Sequence, residues 1–364
     1  MNEAVAAIVE RVRAAHASGE RLRIRGGGSK DFYGEAPVGA VLDTTALAGS
    51  ADHEPTELVV TAPAGMRVVE LEAQLAAHDQ CLAFEPPRFT PATTVGGMVA
   101  AGLAGPSRAA AGSVRDHVLG VTMVSGTGEL LQFGGRVIKN VAGYDVARLV
   151  AGSLGILGVI VEVSLKVLPR AEAETTLRFD CKPGEALAQL HAWSAQPLPL
   201  DASAWWNGNL IVRLRGSSAA VGEGARALGG EEIAPEAAAP FWQSLRDHTD
   251  PFFAAADDAT VHLDATLWRL SLPQTAPLLG LAGDELIEWH GAQRWLATAL
   301  PAAQVREAAS AVGGHATAFR TADKSAIGGA FAPLAAPLVA IHERLKRAFD
   351  PKGILNPGRL YPGL

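Results

Sequence analysis

Glycine and tryptophan divide this chain between them. All seven tryptophans fall at Trp193 or later, at 193, 205, 206, 242, 268, 289 and 295, whereas glycines crowd at 26–28, 96–105, 126–135 and 152–158. Glycine runs let backbone approach another backbone or a ligand closely, and tryptophan fills a core with bulk. The asymmetry predicts a ligand-holding domain followed by a differently built one. A chain of 364 residues also exceeds one ordinary core, at roughly 150 residues per domain.

The remaining composition excludes several classes. Hydrophobic residues at 48% and charged residues at 19% supply a packed interior and carry no signature of disorder. The net charge of −7 gives no bulk attraction to nucleic acid or anionic lipid. Arg11, Arg13, Arg21, Arg23 and Arg25 interleave with apolar positions, which reads as an exposed face or a partner contact. Cys81 and Cys181 are too far apart for a CxxC pair or an iron–sulfur cluster, so cluster-borne electron transfer belongs to another chain and a reducing compartment fits. Val5, Ile8, Val9 and Val12 recur at helical spacing up to Gly19, and Glu3 and Glu10 sit where a signal peptide is apolar. The apolar run Leu149–Val161 is short for a membrane span. The expectation is a cytoplasmic protein without a transmembrane segment.

In the first half, Arg21–Arg25, Leu58–Thr61 and Gly158–Val167 read as strands, Val68–His78 as an amphipathic helix, and His117–Val124 with Glu129–Phe133 as a strand–turn–strand. The second half carries a pattern repeated after about 90 residues. One copy is Thr175–Phe179, a helix near Gly184–Ser194, a hairpin at Asn207-Gly208 and a helix near Ala219–Leu228. The other is Ala265–Leu272, a short apolar segment, a hairpin around His290-Gly291, a helix near Ala302–Val312 and the strand His315–Arg320. Side by side they predict one antiparallel sheet with helices on one face. Pro333–Phe349 reads as a last helix.

Three glycine clusters carry the chemistry. Gly26-Gly27-Gly28-Ser29-Lys30 follows a strand, so successive N–H groups can form a nest for a phosphate; a tight surface turn is the other reading. Neither a GxGxxG fingerprint nor a Walker loop is present. In Thr93-Thr94-Val95-Gly96-Gly97 either threonine can cap a small-residue helix, leaving the N–H groups of Val95, Gly96 and Gly97 for an anion; tight helix packing is the alternative. The third is Lys139–Asp145 followed by Gly152–Ile160, suited to lining an adenine or ribose; a plain helix-to-strand loop is the other reading.

In this order the clusters resemble the flavin domain of FAD-linked oxidases of the vanillyl-alcohol-oxidase (PCMH) type. "KNVAGYDVARLVAGSLGILGVIVEVSLKVLP", "LWRLSLP", "WHGAQRWL", "GGHATAFR" and "FDPKGILNPGRLYPGL" are similar to the small flavin subunits of bacterial glycolate oxidases, over nearly the whole chain. The resemblance implies an α+β protein: a two-subdomain PCMH-type FAD-binding domain at 1–171, an α/β cap domain with an antiparallel sheet at 172–332, and a C-terminal helix and tail at 333–364 that returns to the first. It implies FAD as cofactor, with Arg25, Gly26, Gly27, Gly28, Ser29 and Lys30 at the pyrophosphate. Thr93, Thr94, Val95, Gly96 and Gly97 would lie along the pyrophosphate and isoalloxazine, with Gly112 and Ser113 in a second loop against the flavin. Gly143, Tyr144 and Asp145, with Gly158, Val159 and Ile160, would border the adenosine, and Asn356 would return towards the isoalloxazine.

The activity implied is oxidation of glycolate or another 2-hydroxy acid, with electrons passed to an iron–sulfur subunit beside a larger flavin subunit. Membrane association would come only through those partners, at the inner face. No histidine or cysteine stands beside the first glycine loop, which implies non-covalent FAD, and the histidine-rich segment of the larger catalytic subunits is missing. A self-sufficient hydroxy-acid dehydrogenase and a non-catalytic scaffold are the competing readings. No catalytic residue and no metal site is assigned. His290, His315 and His342 read as surface or core residues, Arg294, Arg320 and Lys324 as structural cations rather than carboxylate ligands, and Trp289 and Trp295 as anchors able to shield a flavin or meet a partner.

Overall fold

The computed structural model describes residues 3–136, 144–262 and 264–364. Two compact units emerge: Met1–Leu103 with Ser113–Pro169 and Pro333–Leu364, and Ala104–Gly112 with Arg170–Ala332. Among the described residues no helix is long and apolar enough to cross a membrane.

In the first unit, α1 (Glu3–Ser18) buries Ile8, Val9, Val12 and Ala15, a stripe at helical spacing. β1 (Leu22–Arg25) pairs in parallel with β2 (Ala40–Asp43). Then come β3 (Asp52–Glu54), β4 (Val59–Pro63), α2 (Val68–Ala76), α3 (Val95–Ala101), β5 (Val118–Val124), β6 (Leu130–Gly134) and β7 (Val159–Lys166). The sheet order is β3-β4-β7-β5-β6, antiparallel throughout. Central β7 is buried on both faces through Val159, Ile160, Val161, Val163 and Leu165, which is why it reads as a nearly continuous apolar run.

The second unit runs β8 (Ala173–Asp180), α4 (Pro183–Ser194), β9 (Leu200–Trp206), β10 (Asn209–Gly216), α5 (Ser218–Leu228), β11 (Glu231–Ile233), α6 (Pro235–Asp247), α7 (Pro251–His262), β12 (Thr266–Ser271), β13 (Asp284–Glu288), β14 (Gln293–Thr298), α8 (Ala302–Ala311) and β15 (His315–Arg320). Its eight strands lie in the order β11-β8-β10-β9-β13-β14-β12-β15, symmetric about the β9–β13 pair. The two copies of the pattern thus meet edge to edge. Helices cover both faces, not one as the pattern suggested. Leu177 packs with Ala186, Leu190 and Val221 of α4 and α5, whereas its neighbour Thr176 accepts from Trp242 Nε1 of α6 at 3.0 Å. Successive strand residues point to opposite faces, so α6 lies across the sheet from α4 and α5. Phe253 of α7 meets Trp295 edge-on at 5.1 Å, while the next residue, Leu296, packs with Val305 and Ala309 of α8.

The chain returns to the first unit with α9 (Ala336–Phe349). Lys346 Nζ, buried near its end, donates to Asp350 Oδ2 (2.7 Å), Ile156 O (2.8 Å) and Leu355 O (2.7 Å). Asp350 in turn accepts from the N–H groups of Ile354 and Leu355. This knot sets the C-terminal segment on the free edge of β1, where Leu22 N donates to Ile354 O (2.7 Å) and Asn356 N to Leu22 O (2.9 Å).

Candidate functional site

β1, held between β2 and the C-terminal segment, delivers the chain to the glycine loop at a fixed point. Gly28 turns it with φ +71°. A methyl group on Gly27 would fall 1.6 Å from the carbonyl oxygen of Ala92, so the loop lies directly on the backbone before α3. The Thr93 and Ser29 hydroxyls join the two at 2.8 Å. Among the described residues, no acceptor takes the N–H groups of Gly26, Gly27, Gly28 or Ser29. Backbone donors are normally paired, and four adjacent unpaired ones at a cleft form a nest for an anion. The cleft is lined by Arg25 to Lys30, Thr94, Gly96, Gly97, Gly158, Ile160 and Asn356 from the residues proposed above.

α3 behaves differently from the sequence reading. Thr94 caps it, accepting from Gly97 N at 3.3 Å. The other N–H groups expected to be free are taken: Val95 N donates to Met66 O (2.9 Å) and Gly96 N to Ala64 O (2.8 Å). These acceptors lie in the β4–α2 turn, whose packing under the helix is a tertiary contact. What α3 offers the cleft is a wall without bulk, made of Gly96, Gly97, Ala100 and Ala101.

The charges at the cleft are four cations, Arg23, Arg25, Lys30 and Arg359, against one carboxylate, Asp31. Arg23 Nη2 and Arg25 Nε (2.9 Å) both donate to Asp31 Oδ2. Arg359 donates to the carbonyls of Asp31 (2.9 Å), Lys30 (3.2 Å) and Glu35, drawing the loop's oxygens to its own side. Burial pushes the Arg359 guanidinium down to about 10; Asp31 opposes that shift and Arg23 adds to it. Asn356 bridges the walls, accepting from Ile24 N (2.7 Å) and donating to Leu154 O (2.7 Å). Arg23, Asp31 and Arg359 were not singled out as site residues, although the first and second flank the glycine run and the third follows Asn356 in "NPGRL".

Other proposed contacts fall outside the cleft lining. Thr93 stands behind it through Ser29, and Val95 and Val159 are buried in their elements. Gly112 belongs to the second unit, and Ser113 caps the short helix Val114–His117 with Asp116. Tyr144 is 95% exposed, and Asp145 caps Val146–Val150 by accepting from Arg148 N. Gly143, with Lys139 to Ala142, lies outside the described residues.

In the second unit, Arg294 is fully buried and holds the carbonyls of Ala276 (2.6 Å) and Pro277 (2.7 Å), and Arg320 pairs with Asp257. Trp289 and Trp295 are buried anchors, their N–H groups taken by Gly105 O and Glu288 Oε2. Burial drives the His290 imidazole down to about 4, and its Nδ1 lies 3.0 Å from Ser203 Oγ. Among the described residues no three His, Cys, Asp or Glu side chains converge as a metal site requires.

Residues 3–134 match the family described as FAD binding domain, and 334–360 match the C-terminal domain of FAD linked oxidases. The chain is 44% identical over 358 residues to the glycolate oxidase subunit GlcE of Escherichia coli (strain K12), covering 98% of this chain and 97% of that protein. It is 31% identical over 156 residues to the glycolate oxidase subunit GlcD of Bacillus subtilis (strain 168), covering 42% of this chain and 33% of that one. A D-lactate dehydrogenase of Archaeoglobus fulgidus is 33% identical over 159 residues, covering 42% of this chain and 34% of that protein. The chain therefore spans about a third of the latter two. Among solved structures, alkyldihydroxyacetonephosphate synthase superposes with a TM-score of 0.65 over 97% of this chain and 74% of that one, at 16% identity, a likeness of fold.

Proposed function

The chain belongs to the PCMH-type FAD-linked oxidases, and from that membership we propose that it is the FAD-carrying subunit of a glycolate oxidase. The observation that carries the reading is the row of unaccepted N–H groups at Gly26–Ser29, set in a cleft with four cations and one carboxylate. A diphosphate ester needs just such donors and charge, and the bulk-free wall of α3 admits a flat ring system, so the residues fit FAD. When bound, FAD supplies the hydride acceptor for oxidation of a 2-hydroxy acid.

The chain's own residues hold and orient. Gly26 to Ser29 would bind the diphosphate through backbone N–H groups, with Lys30 adding charge. Thr93 fixes the Ser29 hydroxyl, and Asn356 ties β1 to the Leu154 loop so that the cleft keeps its width. Gly112, Ser113, Gly143, Tyr144 and Asp145 are proposed contacts on the family resemblance alone. No covalent link to the flavin is proposed, because the cleft lining offers neither histidine nor cysteine among the described residues. Two distant cysteines cannot ligate a cluster, so electrons would leave through an iron–sulfur subunit, beside a larger flavin subunit that completes the assembly at the inner face of the membrane.

The test is an anaerobic visible spectrum of the isolated chain loaded with FAD, before and after glycolate. The proposal expects flavin that stays oxidised in the isolated chain and is reduced in the assembled complex. Bleaching in the chain alone would mean a self-sufficient dehydrogenase, and a chain that takes up no flavin would be a scaffold.

A further inference from the structure

We propose that the Arg25 side chain grips the cofactor's diphosphate and that Asp31 is the positioning residue that aims it. This deepens the reading of the cleft as an FAD site and rests on it. Arg25 leaves the end of β1 and folds back over the glycine loop. A methyl group on Gly28 would sit 2.3 Å from its Nη2 and 2.8 Å from its Cζ. Its Nε donates to Asp31 Oδ2 at 2.9 Å, whereas its Nη1 and Nη2 meet no acceptor among the described residues. A guanidinium held by Nε presents its remaining N–H groups as a rigid fork, the geometry that matches phosphate oxygens. That fork lies over the loop whose N–H groups are also unaccepted. Side chain and backbone thus offer donors to one ligand from two directions.

Asp31 is itself fixed from both ends. Its N–H donates to Gly28 O at 3.1 Å and its carbonyl accepts from Arg359 Nη2 at 2.9 Å. Its carboxylate also takes Arg23 Nη2, so the oxygen that orients Arg25 is anchored by a second guanidinium. The ligand class is a nucleoside diphosphate ester, and ADP carries the recognised part without the flavin.

The experiment is a coupling measurement on the full chain, with FAD and ADP as separate probes. Asp31→Asn is expected to weaken both about 10-fold, and Arg25→Met about 10-fold or more, as for hydrogen bonds to charged groups. Asp31→Asn added to Arg25→Met is expected to change either affinity less than about twofold, because an aiming residue has no effect without the group it aims. The thermal midpoint of the unliganded Asp31→Asn chain, a partly exposed site, stays near that of the wild type. Asp31→Asn binding within twofold of wild type would overturn the proposal. So would an equal loss on both backgrounds, which would mark Asp31 as a purely structural support of the loop. Wild-type chain that binds neither probe would remove the FAD reading itself.

Discussion

Asp250 shows how a single buried carboxylate sets a pH dependence. Its Oδ1 accepts from Phe252 N (2.8 Å) and Phe253 N (3.4 Å) at the start of α7, while Oδ2 is buried without a partner among the described residues. Burial raises its pKa from the ordinary 3.8 to about 6, against the pull of the two N–H groups. The folded chain therefore holds a proton through that interval that the unfolded chain has released. Stability falls as pH rises through the window and stays lower above it. Asp250→Asn keeps the capping oxygen and removes the charge. We expect a flatter stability profile between about pH 4 and 6 and a gain of roughly 2–3 kcal/mol near neutral pH, read by urea denaturation at several pH values. An unchanged profile would assign the titration elsewhere. Residues of this kind were not legible in advance, because nothing in "HTDPFF" says that the aspartate is buried. That Gly27 and Gly28 line a close backbone approach was legible, since such an approach needs residues without side chains; Arg25 was named only through the family resemblance, and Arg359 was not named, since it comes from the far end of the chain.

Elements were legible where their pattern is local. β7, α2, the β5–β6 hairpin and both copies of the sheet motif follow from periodicity and turn residues. α6 and α7 were missed because Pro235, Pro240 and Pro251 punctuate an alanine-rich stretch, and Pro240 sits inside α6. The occupied N–H groups of α3 were missed because their acceptors belong to another element. The same limit hid the membership of Ala104–Gly112 in the sheet unit. That segment is held by Ser107 Oγ, which meets Asp201 Oδ2 at 2.9 Å and Arg213 Nη2 at 2.7 Å, with Arg213 Nε on Asp201 Oδ2 at 2.6 Å. All three residues are buried, and Arg213 also covers the Trp242 ring at 4.8 Å. Arg213→Met leaves Asp201 paired with Arg215 at 3.6 Å. The expected loss is about 3 kcal/mol of unfolding free energy. A change below about 1 kcal/mol would show that Arg215 or water replaces the pair.

At the scale of the whole molecule, the chain carries −7 while its glycine-loop cleft is lined by four cations and one carboxylate. Composition showed the first number and could not show the second, because the cluster is assembled from residues 23–31 and 359. The tail that carries Arg359 reaches β1 through the Lys346–Asp350 knot. FAD binding is assigned, as a proposal, to the Gly26–Ser29 loop. Its most direct test is an FAD titration of the purified chain, followed by flavin fluorescence, with Gly27→Ala measured in parallel. A methyl group there meets the Ala92 carbonyl and must push the loop from its place. One FAD per wild-type chain is expected, with an affinity at least about 10-fold weaker in the variant. Equal binding by the two chains would place the flavin somewhere other than this loop.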